Sequence, residues 1–146
     1  YHVLLLEEHV QACIDASTLS GDIAYDEKAI QSLCKIVDMG WGSYTTYNNL
    51  AILYQKIGDY ENVKVILGEM DQKFPGDYNT AKRYAFLEIE LQSQKQEKDR
   101  NYNQFMEYYT QALELYEELD ASNKTDAEMQ LLEQAHQQLK DGHWLD

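Results

Sequence analysis

Few residues in this 146-residue chain could do chemistry, and they are widely spaced. Glu133-Gln134-Ala135-His136 has the Glu-x-x-His spacing with which one helix offers a carboxylate and an imidazole to a di-metal site. Such a centre takes that pair from two helices and two glutamates from others; the chain has no second Glu-x-x-His, so the pair reads as helix surface. His2 and His9 stand two helical turns apart, too far to chelate one ion unaided. Cys13 and Cys34 are too few for a disulfide framework and read as buried free thiols in a reducing compartment. A Cys–His nucleophile pair stays open, although neither cysteine has a sequence neighbour that would lower its pKa. There is no glycine-rich phosphate loop, Gly-x-Ser-x-Gly elbow or Cys-x-x-Cys pair. The expectation is a protein that is not an enzyme and takes neither cofactor nor metal.

The elements that would position these residues are helices. β-Branched alternation is absent, while Leu, Glu, Gln, Lys and Ala dominate, so the chain is expected to be all-α. Its length suits a single domain over 1–146, and one proline with no Gly/Ser-rich linker marks no internal boundary. The net charge of −14 argues against nucleic acid and anionic membranes, both of which are bound through basic surface. It would draw basic partners inward. No apolar run approaches the roughly 20 residues of a membrane span, and a cytoplasmic location is expected. The first residue is Tyr1 rather than Met, which suggests a fragment of a longer protein.

Ser43 to Asp77 shows the plan most clearly. Tyr47, Leu50, Ala51 and Tyr54 share one helical face, Gly58-Asp59 makes a turn, and Tyr60, Val63, Leu67 and Met70 form a second face before Pro75-Gly76. Tyr54 and Leu67 are expected to be fully buried. This order of aromatic, Leu-small, Tyr, Gly-Asp-Tyr, large residues and Pro resembles a tetratricopeptide repeat (TPR), a helix-turn-helix unit of ~34 residues. Tyr47 stands at the tryptophan position and Val63 at the usual alanine.

Ala29, Leu33 and Ile36 precede Val63, Leu67 and Met70 by 34 residues. Tyr60, Val63, Leu67 and Met70 return 42 residues later as Tyr102, Phe105, Tyr109 and Ala112, the repeat period lengthened by an eight-residue polar insertion at Ser93–Arg100. Three helix pairs are therefore expected, over 3–42, 43–77 and 78–119, with a capping helix at 125–140. The first helix, Val3–Thr18, fits if its loop is lengthened by about four residues, with Leu5 or Leu6, His9, Ala12, Cys13 and Ala16 facing inward. The fifth, from Tyr78 to about Gln96, carries Ala81, Tyr84 and Ala85, with Leu87 and Leu91 compensating for Glu88. Asp120–Lys124 reads as a polar loop and Thr125-Asp126-Ala127-Glu128 as a capping box, and Trp144-Leu145 are expected to fold back onto the last pair.

The resemblance implies a right-handed α-solenoid that binds a peptide or protein segment in a concave groove lined by the first helix of each unit. By the repeat offset, Asn48, Asn49, Ile52 and Lys56 would line it from one unit, and Lys82, Arg83 and Phe86 from the next. Asn49 and Arg83 match two positions of the carboxylate clamp of some TPR cochaperones, while Asn79 stands where a second lysine would. Asn49 could instead cap local polar groups, and Lys82 and Arg83 could pair with Glu88, Glu90 or Asp77. The tail, Asp126-x-Glu128-Met129-Gln130-x-Leu132 and then Gly142-His143-Trp144-Leu145, resembles the end of TPR regions that follow some bacterial Ser/Thr kinases, with no kinase motif in the chain itself. The alternative is a structural or oligomerisation element whose groove is self-filled. Nothing apolar lies in Ser93–Arg100, so deleting Gln94–Glu97 should leave one cooperative denaturant transition. Loss of cooperativity would show the segment to be structural.

Overall fold

Side-chain caps begin five of the helices in the computed structural model, which describes residues 2–119 and 125–145. The elements are α1 (His2–Ser20), α2 (Ile23–Asp38), α3 (Tyr44–Lys56), α4 (Tyr60–Lys73), α5 (Tyr78–Ser93), a 3-10 turn (Glu97–Asp99), α6 (Asn103–Glu117) and α7 (Ala127–Asp141). No strand occurs among the described residues, and the fold is all-α. Asp22, Asp59 and Asp77 accept from the first-turn amides of Ala24, Asn62 and Thr80, which would otherwise lack a partner. Ser43 and Thr46 form a reciprocal capping box at the start of α3. At α7 the expected box is replaced: Asp126 rather than Thr125 is the cap, and the Glu128 side chain goes elsewhere. The polar loop expected at Asp120–Lys124 lies outside the described residues.

The chain divides into two compact units, Tyr1–Phe74 and Pro75–Asp146. In the first, α1 packs along α2, α2 on α3, and α3 along α4; in the second, α5 pairs with α6 and α7 lies against both. This is a helical-repeat-like arrangement. The row Ala29, Leu33, Ile36 is buried, as are its counterparts Val63, Leu67, Met70 and Phe105, Tyr109, Ala112, so both offsets correspond to packing. Ala81, Ala85, Met129 and Leu132 complete the core of the second unit, with Trp144 and Leu145 folded onto it as expected. Trp144 meets Tyr102 edge-on at 5.4 Å, whereas Trp41 in the first unit is 67% exposed.

Two glycines bear on the geometry. Gly58 has φ +79°, which lets the Asp59 amide return to the Tyr54 carbonyl and close α3. A Cβ on Gly42 would stand 3.1 Å from the Tyr47 ring, so a larger residue there would need the ring to shift by a few tenths of an ångström.

Three expectations shift. The buried row of α1 is Val10, Cys13 and Ser17, with His9, Ala12 and Leu5 on the exposed side, because Ser17 is drawn inward by a polar partner described below. Tyr54 is only half-buried, its hydroxyl 3.5 Å from Cys34 Sγ. Helix α5 ends at Ser93, and the exposed residues after it are braced by Arg100, whose guanidinium donates to the Ser93 and Lys95 carbonyls. Among the described residues no helix is long and apolar enough to cross a membrane.

Leu67 is wholly buried between its helix partners. Leu67→Ala should cost about 2–5 kcal/mol in a denaturant melt, from lost transfer energy and the cavity left behind. A loss below about 1 kcal/mol would show that this row is not a packed core.

Candidate functional site

In the first unit, α1 and α3 enclose a groove of about 350 Å³. Glu7 and Gln11 line it from α1, Thr45 and Asn49 from α3, with Val10 and Ile36 as apolar floor. Asn49 is thus one of the residues lining this groove. Gln11 and Glu7 went unnoticed in the sequence, although each lies 38 residues before Asn49 and Thr45, the repeat period with the four-residue loop extension. Carrying the offset back by one helix would have found them. The groove presents amides, hydroxyls and one carboxylate, which suit hydrogen bonding to a polar chain.

The other α3 candidates behave differently. Asn48 and Ile52 are half-buried, and the Asn48 carbonyl oxygen is buried with no hydrogen-bond partner among the described residues. Lys56, still half exposed, reaches over a buried carboxylate: its Nζ lies 3.2 Å from Asp26 Oδ1 and donates to Ser17 Oγ at 3.0 Å, while Ser17 donates to Asp26 Oδ2 at 2.9 Å. Asp26 is 1% exposed, and a carboxylate so deep must be paired. One cluster thereby ties α1, α2 and α3.

In the second unit the starts of α5 and α7 come together through a second cluster. Arg83, 6% exposed, grips Glu128 with both terminal nitrogens, at 2.5 and 2.6 Å. Lys82, 3% exposed, donates to Asp126 at 2.7 Å and to Glu128 at 3.0 Å. The Tyr78 hydroxyl donates to Asp126 at 2.7 Å, and the Arg83 guanidinium lies 5.9 Å from the centre of the Phe86 ring. Arg83 Nε is buried without a partner among the described residues. The sequence had offered Glu88, Glu90 or Asp77 as ion-pair partners; Asp126 and Glu128, more than 40 residues away, carry no local signal.

Burial raises both carboxyl pKa values, but Lys82 and Tyr78 outweigh it at Asp126, and Arg83 with Lys82 outweighs it at Glu128; each ends below its ordinary value. Burial and the bond to Asp126 push the Tyr78 hydroxyl up.

Of the remaining chemical candidates, one Cys–His pair comes together. His136 stacks on Tyr109 at 4.8 Å, and no group of three or more His, Cys, Asp or Glu among the described residues could hold a metal ion. Cys13 Sγ lies 3.5 Å from His9 Nε2, one helical turn away, but the thiol is buried. No protein-family model, curated protein or solved structure matches this chain.

The depressed carboxyls have a pH consequence. A group whose pKa is lower folded than unfolded contributes stability that is complete above its unfolded value and disappears as pH falls through its folded value. The contribution of Asp126 and Glu128 should therefore be full above about pH 5 and decline below about pH 4. In melts against pH, the D126N/E128Q variant, in which Asn still caps α7, should lose less stability than wild type across that acid range. Parallel curves would show that these carboxylates are not held by the cations.

Proposed function

We propose that this chain is a non-catalytic interaction module that binds a peptide or protein segment along the groove of its first unit. The observation that supports this best is the groove that Asn49 and Gln11 both line, with Val10 and Ile36 as its apolar floor. A carboxamide can accept from one peptide N–H and donate to a neighbouring carbonyl, so such side chains hold an extended backbone with little regard to its sequence. Glu7 at the rim, with the chain's net charge of −14, favours a segment carrying basic residues. In this reading the three helix pairs are TPR-like repeats of a right-handed α-solenoid, α7 is the capping helix, and the module serves as the regulatory tail of a signalling protein such as a bacterial Ser/Thr kinase.

A second reading, a structural or oligomerisation element with a self-filled groove, draws support from Lys82 and Arg83, which are taken up by the chain's own α7. Sedimentation separates the two: an oligomerisation element self-associates at micromolar concentration, and a binding module remains a monomer.

The deciding variant is Gln11→Ala with Asn49→Ala. Both side chains lie at the surface of α1 or α3, so the midpoint of thermal unfolding should move by no more than about 4 °C. Capture of partners from a lysate of the source cells should fall at least tenfold. Unchanged capture would place the binding site elsewhere. Arg83 does not belong in this test, because truncating it strands Glu128 and changes stability first.

A further inference from the structure

The second unit holds its last helix in an unusual way. Only Met129 and Leu132 of α7 are fully buried, and Leu131 points outward. Its polar attachment is concentrated at its start, where Asp126 and Glu128 sit on Lys82 and Arg83. The two sides of this contact are unequal. With α7 in place each cation on α5 is over nine-tenths buried, Lys82 5.2 Å from the centre of the Tyr78 ring and Arg83 near Phe86. The Asp126 and Glu128 side chains are 20% and 37% exposed. The cation pair thus belongs to α5, and the first turn of α7 is its more exposed partner. Arg83 Nε, buried and unpartnered, is a donor that this occupant leaves unfilled.

We infer that the α5–α6 surface of the second unit is a docking groove for an amphipathic helix with an acidic first turn, and that α7 is its resident, displaceable occupant. The partner that fits has the pattern α7 supplies: two carboxylates at i and i+2, then apolar side chains at i+3 and i+6, as in Asp126, Glu128, Met129 and Leu132. The second carboxylate is read bidentately by Arg83, Lys82 bridges it to the first, and the apolar pair packs with Ala81, Ala85, Phe105 and Tyr109. A partner placing a third oxygen near Arg83 Nε gains a hydrogen bond that α7 does not make. Because the chain is strongly acidic, the approach of such a helix is opposed by like charge, so salt should speed association rather than slow it. This site is separate from the groove at Asn49 and does not depend on it.

The test uses the full chain and a fluorescein-labelled synthetic peptide of residues 125–141. The tethered α7 competes at high effective concentration, so wild type should bind the peptide weakly. D126N/E128Q releases the resident turn and should bind it at least tenfold more tightly; adding Arg83→Gln should abolish the gain. No gain in a folded D126N/E128Q chain, or a gain that survives Arg83→Gln, overturns the proposal. Should the double variant fail to fold, amide exchange of wild type decides: saturating peptide should speed exchange over 127–132, and unchanged exchange overturns it. A dimer of wild type formed without peptide by exchange of α7 would make a second copy the occupant and overturn the assignment to a partner helix. Asn49→Ala should leave peptide binding unchanged, so failure of this site and failure of the first-unit groove are separable.

Discussion

A charge taken out of water must be given a partner, and that requirement organises both units of this protein. Leaving a buried carboxylate or guanidinium unpaired costs several kcal/mol, a large share of a domain's net stability. Asp26 meets it with Lys56 and Ser17, which fixes the register of three helices at once. Lys82 and Arg83 meet it with Asp126 and Glu128, which fixes where α7 begins. Apolar packing supplies most of the drive to fold, but it tolerates small rotations of a helix about its axis. Directional ion pairs do not.

This explains which parts of the fold were legible. The rows through Leu33, Leu67 and Tyr109 were readable because apolar residues at helical spacing recur at fixed offsets, and the structure buries all three. Helix α1 was misjudged because its inward side is set by Ser17, a residue that hydropathy places in solvent. The capping box at Thr125 failed for a related reason. Glu128 had a stronger partner in Arg83, 45 residues away, than in a backbone amide close by. Local pattern carries no trace of such a pairing.

The candidate site was legible to the same degree. Asn49 follows from the repeat offset and stands in a groove, and its companion Gln11 needed only one further step of that offset. Lys82 and Arg83 stood out as a rare basic pair in an acidic chain, but their acidic partners did not. A lysine and an arginine at adjacent positions read as surface, since buried basic residues are uncommon and their acidic partners are distant in sequence. Burial turns them from a steering patch into a fixed mould.

The placement of the two tryptophans makes the units optically unequal. Trp41 of the first unit is already in water, so its emission changes little when that unit opens. Trp144 is half-buried edge-on to Tyr102, in a core cluster that also contains Met129, and its emission moves to longer wavelength when that cluster is lost. Intrinsic fluorescence of the unmodified protein therefore follows the second unit almost alone, while far-ultraviolet dichroism follows the helices of both. A difference between the two signals on heating measures directly whether the halves melt together.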